Sequence, residues 1–196
     1  MNIGYICKKL GIPILALIVS CFAVAAGYRS PLAEAYLIFA AYTVIAGILI
    51  HFIGEAMPRS FRTEKGIFSV FGWENEGRIY EKMFHVTAWK DSMTDASKMF
   101  RGVKSKNTGR RPDRNALSSM IQEMCVSEAC HWILTVLGVS LIWLIRSSWK
   151  WLFFTGYTLF NLADIIIQRY NRPRLVKMYL KLAARERQDE CSDFKL

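Results

Sequence analysis

Apolar residues are gathered into long runs along this chain, and these runs predict its helices. The run from Leu10 to Tyr28 has no charged residue, and the run from Ala35 to Gly54 is interrupted only by His51. Each is long enough to cross roughly 30 Å of hydrocarbon as an α-helix. Two shorter runs further along have the same character. The pattern therefore predicts four transmembrane helices, over 10–28, 35–54, 129–145 and 151–167.

The first run also has features of a signal peptide. Lys8 and Lys9 precede it, and small residues close it. A second apolar run begins within seven residues, however, which favours a retained helical hairpin over a cleaved leader.

The connection 58–125 mixes apolar and aromatic residues with charges. Its part from Gly66 to Lys90 predicts partly buried or interfacial helices, and 102–115 predicts an exposed basic loop. Helical spacing resumes over Ala116–Cys125 and should lead directly into the third span. After Pro173, which is expected to break or kink the last helix, apolar and basic stripes predict an amphipathic helix over 174–189. The expected fold is one all-α integral membrane domain over 1–196, with about four transmembrane helices plus interfacial amphipathic helices.

Composition and charge agree with this architecture and orient it. The chain is 53% hydrophobic and 21% charged, with a net charge of +10. With four spans, 23 of the 26 lysines and arginines fall on one face, which the positive-inside rule assigns to the cytoplasm. We therefore expect a multi-pass protein of the cell membrane with both termini and 58–125 cytoplasmic. The same basic face could bind membrane lipids with anionic headgroups or a phosphorylated carrier. Nucleic acid is not an expected partner, because the chain has no motif for it.

Several kinds of chemistry are excluded by counts and motifs. Three histidines are too few for a histidine-rich di-iron desaturase, and no HExxH, Walker, GxSxG or GxGxxG motif is present. The five cysteines form no CxxC pair, and we interpret them as small buried hydrophobic residues. We expect no metal site and no cofactor.

Glu128 and His131 are the candidate catalytic residues. They lie three positions apart, on one helical face at the cytoplasmic end of the third span. Ionisable groups at such a position are costly, so a function is a reasonable default. A carboxylate beside an imidazole fixes its tautomer and raises its basicity, which would make His131 a general base oriented by Glu128. The alternative is an interfacial pair that reaches water or bonds a neighbouring helix.

A second group of polar residues follows in the fourth span and just after it. Asn161, Asp164 and Gln168 share a helical face and could hydrogen-bond the third span, or Asn161 or Gln168 could polarise a substrate carbonyl. The string QRYNRPRL, from Gln168 to Leu175, then brings three guanidiniums around a proline. Arg169, Arg172 and Arg174 could grip a phosphate or carboxylate bidentately, or could anchor the helix at the lipid headgroups.

Together, the QRYNRPRL string, the EACHW around His131 and the FGWENEG segment resemble one family. It is that of the glycosyl-diaponeurosporenoate acyltransferases of carotenoid (staphyloxanthin) biosynthesis in Gram-positive bacteria, with their uncharacterised relatives. The similarity runs from about Pro58 to Leu175, whereas the first span and the 102–115 loop depart from the family pattern. The matched residues outside the arginine string are Ile67, Phe68, Phe71, Glu74, Gly77, Lys82, Phe84, Trp89, Lys90, Glu123, Glu128, His131, Trp132 and Asn161.

The resemblance implies a small bacterial membrane enzyme that moves a fatty acyl group onto a hydroxyl of a lipid-linked sugar. Its partners would be an acyl thioester donor, either acyl-CoA or acyl carrier protein, and a glycolipid acceptor that need not be a carotenoid. Substrate contacts are expected from Glu74, Trp89, Lys90, Asn161, Gln168, Arg169, Asn171, Arg172 and Arg174. Two other functions stay open at this point: a non-enzymatic membrane protein that binds lipid or a partner subunit, and a different lipid-modifying transferase such as a methyltransferase.

Overall fold

The structure is a computed structural model that describes residue 15 and the ranges 18–25, 30–57, 66–90 and 113–193, with side chains up to 188. Every regular element in these ranges is a helix or a 3-10 turn, which confirms the all-α prediction. Of the predicted first span, residues 18–25 are helical. The predicted basic loop 102–115 lies outside the described residues except for its last three positions.

Besides the helical residues 18–25, the described elements are six α-helices and two 3-10 turns. The 3-10 turns are Gly66–Phe68 and Gly72–Gly77. The helices are α1 (Pro31–Ala56), α2 (Arg78–Phe84), α3 (Val86–Trp89), α4 (Arg114–Gly138), α5 (Leu141–Leu144) and α6 (Lys150–Asp193).

Within the described ranges, two stretches are long and apolar enough to cross a membrane: α1, and Arg114–Leu144, which comprises α4 and α5. They contain the predicted spans 35–54 and, except for Ile145, 129–145. On α1 the side chains of Ile45, Leu49 and Phe52 are each more than half exposed. Aliphatic and aromatic surface of this extent is what lipid tails cover in membrane proteins.

The last helix is continuous where the sequence predicted a break or kink. Helix α6 runs through Pro173, so the predicted span 151–167 and the tail helix 174–189 are parts of one helix. Proline removes the hydrogen bond to the carbonyl of Arg169, at a cost of roughly 3 kcal/mol. The ion pairs of Arg169 and Arg172, described below, hold the helix on the N-terminal side of the proline. Helix α4 likewise begins at Arg114, which confirms that Ala116–Cys125 leads into the third apolar run.

The chain groups into two compact units. The first comprises Met1–Ala56, Thr94–Ser105 and Cys130–Ala163, and the second comprises Met57–Met93, Lys106–Ala129 and Asp164–Leu196. Helices α4 and α6 each contribute to both units. In α4 the boundary between the units falls between Ala129 and Cys130, and in α6 it falls between Ala163 and Asp164. The single domain predicted from sequence stays a prediction.

The core of the first unit forms where α1, α5 and α6 meet. Ala35, Leu141, Ile145 and Tyr157 are buried there, with Phe39 among the side chains packed around them. Gly138 at the end of α4 allows a close approach to α6. A Cβ at this position would lie 2.7 Å from Cδ1 of Tyr157. The absence of a side chain at Gly138 therefore allows the close approach of the two helices that carry His131 and Asn161.

The second unit has two small cores. Phe68, Cys125 and Ala129 form one, and Tyr80, Val86 and Tyr170 form the other. Burial of Cys125 agrees with its interpretation as a small hydrophobic residue. Cys21 differs, because it is exposed on the helical segment 18–25, whose other side chains are also largely apolar.

Candidate active site

In the first unit, His131 of α4 and Asn161 of α6 are hydrogen-bonded to each other. The ring Nδ1 of His131 lies 2.9 Å from Oδ1 of Asn161. Asn161 is buried, and its amide nitrogen donates to the carbonyl of Tyr157 at 2.9 Å. Its Oδ1 is thus oriented as an acceptor towards the imidazole.

This orientation determines which ring nitrogen of His131 can act as a base. Because Oδ1 of Asn161 is an acceptor, Nδ1 of His131 must carry the proton that it donates. In the neutral imidazole the basic lone pair then lies on Nε2. The His131–Asn161 pair therefore has the arrangement of a positioned general base, with Asn161 as the residue that fixes its tautomer.

In the second unit, the turn Gly72–Gly77 presents Glu74 as a buried carboxylate. Oε2 of Glu74 accepts from the backbone N–H of Phe71 at 2.7 Å, and Oε1 accepts from the hydroxyl of Tyr80. Asn75, Glu76 and Gly77 all have positive φ angles, which turn the chain sharply after Glu74. The turn thereby directs the carboxylate towards α6.

Arg169 connects this turn to α4. Its NH1 donates to Oε1 of Glu74 at 2.8 Å and its Nε donates to Oε1 of Glu128 at 2.7 Å. Its NH2 donates to the carbonyl of Ile67 at 3.0 Å, and its guanidinium lies 5.0 Å from the ring centroid of Phe71. All three guanidinium nitrogens are thus used within the protein.

Arg172 completes the arrangement from one turn further along α6. Its NH1 pairs with Oε2 of Glu128, and both side chains are only 1% exposed. Glu74, Glu128, Arg169 and Arg172 form what we call the four-charge cluster, with two negative and two positive groups. A buried ion pair compensates its desolvation cost only when its charges are matched and hydrogen-bonded, and this cluster has equal numbers of each sign.

Close backbone packing holds the turn against α6. A Cβ on Gly77 would lie 3.0 Å from the carbonyl oxygen and 3.3 Å from the Cα of Tyr170, and its φ is +83°. Any other residue would be strained in this conformation and would meet the helix backbone. Gly77 thus permits the approach that brings Glu74 to Arg169.

The environment of Glu74 sets its protonation and that of Tyr80. Burial pushes the pKa of the Glu74 carboxyl upward, but hydrogen bonds from Tyr80, Arg169 and the Phe71 amide together outweigh it and hold the pKa below 4.5. Burial and the neighbouring Glu74 carboxylate raise the pKa of the Tyr80 phenol far above its ordinary value. At neutral pH, Glu74 is therefore ionised and Tyr80 is its proton donor.

The remaining predicted site residues lie around these two arrangements. Nε2 of Gln168 donates to the hydroxyl of Ser127 at 3.1 Å, so Asn161 and Gln168 both bond α4, as the face they share predicted. Arg174 is exposed, and its NH2 donates to the hydroxyl of Tyr170 at 2.6 Å. Nζ of Lys90 lies 5.4 Å from the ring centroid of the same tyrosine. Nε1 of Trp89 donates to the carbonyl of Phe84 at 2.7 Å, and Asn171 is half-buried.

For two groups of predicted site residues, the structure shows other partners than the sequence analysis expected. The guanidiniums of Arg169 and Arg172 bond carboxylates of the protein. Arg169 could hold a substrate phosphate only by giving up such bonds, and the side chain of Arg172 is only 1% exposed. Both oxygens of Glu128 accept from these arginines, and Asn161 is the partner seen at Nδ1 of His131. Orientation of His131 by Glu128 stays a prediction.

Sequence reasoning missed the roles of Tyr80, Gly77 and Tyr170. Gly77 was matched only as part of FGWENEG, and its positive φ and close approach to α6 are tertiary features. Among the residues that the structure describes, no three metal-ligating side chains come together.

Three separate sequence motifs meet in the four-charge cluster. Glu74 belongs to FGWENEG, Glu128 begins EACHW, and both arginines belong to QRYNRPRL. These segments carry the resemblance noted from sequence, and comparison with known proteins agrees with it. A family model described as glycosyl-4,4'-diaponeurosporenoate acyltransferase matches residues 64–181.

Curated relatives carry the same description. The chain is 31% identical over 150 residues to a glycosyl-4,4'-diaponeurosporenoate acyltransferase of Staphylococcus aureus strain MRSA252, covering 76% of this chain and 90% of the relative. It is 30% identical, with the same coverage, to the protein of that description from the bovine strain RF122 / ET3-1. No solved structure matches the chain significantly.

Proposed function

This chain belongs to the glycosyl-4,4'-diaponeurosporenoate acyltransferase family and is an acyltransferase, and from that premise we propose that it moves a fatty acyl group from a thioester to a hydroxyl of a glycosylated lipid. The observation that carries the proposal is the His131–Asn161 pair. It provides a proton acceptor of defined tautomer, which is what transfer to a hydroxyl requires. The acceptor class follows from the name of the relatives, and a glycosylated carotenoid is one member of that class.

The reaction assigns a definite role to each atom of the pair. Nε2 of His131 takes the proton of the acceptor hydroxyl as its oxygen attacks the thioester carbonyl. The carbon–sulfur bond then breaks, an ester forms, and the leaving thiolate takes the proton back from the imidazolium. Asn161 accepts the Nδ1–H bond throughout and so acts as a positioning residue.

The four-charge cluster acts in this scheme as a scaffold. Glu74, Glu128 and Arg172 are buried, Arg169 is 12% exposed, and the four groups are mutually paired, so they stabilise the contact of the turn Gly72–Gly77 with α4 and α6. Its net charge is zero, which leaves recognition of an anionic donor to exposed basic residues. Arg174 is one such residue.

The enzyme would work within the cell membrane, with four spans and with both termini and 58–125 in the cytoplasm. In support, α1 and Arg114–Leu144 are long and apolar enough to span. The beginning of α6 also exposes apolar side chains: Trp151, Leu152, Leu159 and Phe160. A cytoplasmic basic face would meet the acyl donor where acyl thioesters are made.

Reconstitution with acyl-coenzyme A and a glycolipid tests the role of His131. Loss of a positioned base typically lowers the rate by ~10²–10⁴, so we expect a loss of this size in His131→Gln. Asn161→Leu should lower kcat by about 10–100-fold, by analogy with the loss of residues that orient metal-bound histidines. His51→Gln, a change at an exposed histidine of α1, is the matched control and should be as active as the unaltered chain.

Lipid profiling of cells with and without the protein tests the acceptor class. We expect an acylated glycolipid to disappear when the protein is absent, together with accumulation of its unacylated form. A folded His131→Gln protein with normal transfer would refute the general-base role. An unchanged glycolipid profile would refute the acceptor class.

A further inference from the structure

A groove on the second unit lies beside α6 after Pro173 and is separate from the candidate catalytic pair. It has a volume of about 470 Å³, within the range of roughly 300–1,000 Å³ found for small-molecule sites. Its walls are Val70 and Glu76 from the turn segments and one face of α6: Pro173, Val176, Lys177, Leu180, Lys181 and Ala184.

The lining of the groove divides into an apolar part and a basic part. Val70, Val176 and Leu180 supply aliphatic surface, and Leu180 is 58% exposed although it is large and apolar. Lys177 and Lys181 lie one turn apart on the same helix face. Glu76 pairs with Lys177 at 3.4 Å, but both groups are about 60% exposed, and such pairs are weak.

The helix gives the groove its length. The six lining residues of α6 extend over twelve positions, from Pro173 to Ala184, which is about 16 Å along the helix axis. A site that is long, apolar and flanked by lysines is complementary to an amphiphile with a hydrocarbon chain and a phosphorylated head. Compact polar ligands would leave the aliphatic walls uncovered.

We propose that this groove binds the long-chain acyl thioester of coenzyme A, with the acyl chain against Val176 and Leu180 and a phosphate near Lys177 and Lys181. The inference rests on the proposed function, since it names the donor and the surface that first binds it. The thioester then has to leave this groove to react at Nε2 of His131. It also resolves the question raised by the four-charge cluster, because these lysines are exposed whereas Arg169 and Arg172 are committed to carboxylates.

Equilibrium binding to the full chain in phosphatidylcholine nanodiscs tests the site. The probe is the non-hydrolysable thioether analogue of palmitoyl-coenzyme A, with binding to empty discs subtracted. Leu180→Asp should weaken binding at least tenfold. The matched control is Met178→Asp, a change at an exposed apolar residue of the same helix outside the groove, which should stay within twofold.

Chain length and charge provide two further readouts. Each methylene buried in an apolar site contributes about fourfold in affinity. Shortening the acyl chain should therefore weaken binding to the unaltered protein steeply. In Ala184→Trp the groove is filled, so the same shortening should weaken binding only slightly. Lys181→Glu should weaken binding of the analogue and of coenzyme A alone, whereas Arg185→Glu, outside the groove, should not.

Several outcomes would overturn the proposal. These are no binding above empty discs, equal losses in Leu180→Asp and Met178→Asp with native circular dichroism, or dependence on Lys181 but not on acyl length. If discs rich in phosphatidylglycerol abolish binding, the occupant is an anionic phospholipid and the proposal also fails.

Binding is measured without acceptor or turnover, so failure of the groove and failure of the function are distinguishable. Absence of acyl transfer with the expected binding pattern refutes the function alone. Acyl transfer without that pattern refutes the groove alone.

Discussion

At the scale of single residues, Glu128 and Arg172 depend on each other, because each compensates the buried charge of the other. Both side chains are buried, and Glu128 also bonds Arg169. Removing one partner of such a pair leaves a charge without compensation in a poorly solvated environment. Removing one group of each sign leaves Glu74 and Arg169 as a matched pair.

We therefore expect Glu128→Leu to destabilise the protein by about 3–5 kcal/mol. The double variant Glu128→Leu/Arg172→Met should be more stable than Glu128→Leu alone, because no excess arginine remains. Thermal unfolding in detergent measures both. Strictly additive losses would show that the two side chains do not act as a pair.

The acid side of the stability profile should depend on Glu74. Its pKa in the folded protein lies below the ordinary value of a glutamate. Ionised Glu74 therefore contributes stability above that ordinary pKa, and this contribution is lost as the pH falls through the folded pKa. Tyr80→Phe removes a hydrogen bond that lowers this pKa, and it should shift the loss of Tm to higher pH. Glu74→Gln should remove this part of the acid dependence. An unchanged profile in Tyr80→Phe would contradict the assignment.

The sequence predicted some of these residue contacts and not others. The spacing of Asn161 and Gln168 placed both on the face that bonds α4, and the structure confirms it. The same spacing rules could not pair Glu74 with Arg169, which is 95 positions away. A cluster of arginines has the same local pattern whether it binds a ligand or internal carboxylates.

At the scale of secondary-structure elements, the apolar run 35–54 lies within α1. The run 129–145, predicted as one helix, covers the end of α4, a turn at Val139 and Ser140, and α5. Pro173 was expected to break or kink the last helix, but α6 continues through it. A proline inside a helix is a local signal, and its effect depends on what holds the helix on either side. Here tertiary ion pairs supply that support. The short helices α2 and α3 and the turn before them lack a long period, so their ends could not be placed from sequence.

Contact between α4 and α6 at Gly138 provides a test of how precisely the His131–Asn161 pair is held. Gly138→Ala would place a Cβ 2.7 Å from the Tyr157 ring, so the helices must shift apart. We expect at least a tenfold loss of kcat, of the order seen when a positioning contact is removed, with smaller changes in KM. Gly156→Ala, where nothing lies within 4 Å of the new Cβ, should be neutral. Equal activity of the two variants would contradict a distance set by Gly138.

At the scale of the whole molecule, the distribution of basic residues predicts the topology. A cysteine at Ser105→Cys lies in the proposed cytoplasmic connection, outside the described residues. In a variant whose native cysteines are replaced, it should react with a membrane-impermeant thiol reagent only after the cells are opened. If this cysteine were labelled from outside in intact cells, the proposed orientation would be wrong. A cysteine introduced as Ser148→Cys, between the two last proposed spans, should instead react with the reagent in intact cells.

The long-range ion pairs determine when, during synthesis of the chain, the second unit can assemble. Glu74 and Glu128 leave the ribosome before Arg169 and Arg172, by 95 and 44 positions in the two most separated pairs. Until α6 emerges, both carboxylates lack the arginines that compensate them, and the turn Gly72–Gly77 has no helix backbone to pack on. Assembly of the second unit is therefore a late step, and contacts of such high sequence separation form slowly. The nascent chain must pass through a stage in which quality-control proteases and chaperones can still recognise it as unfinished.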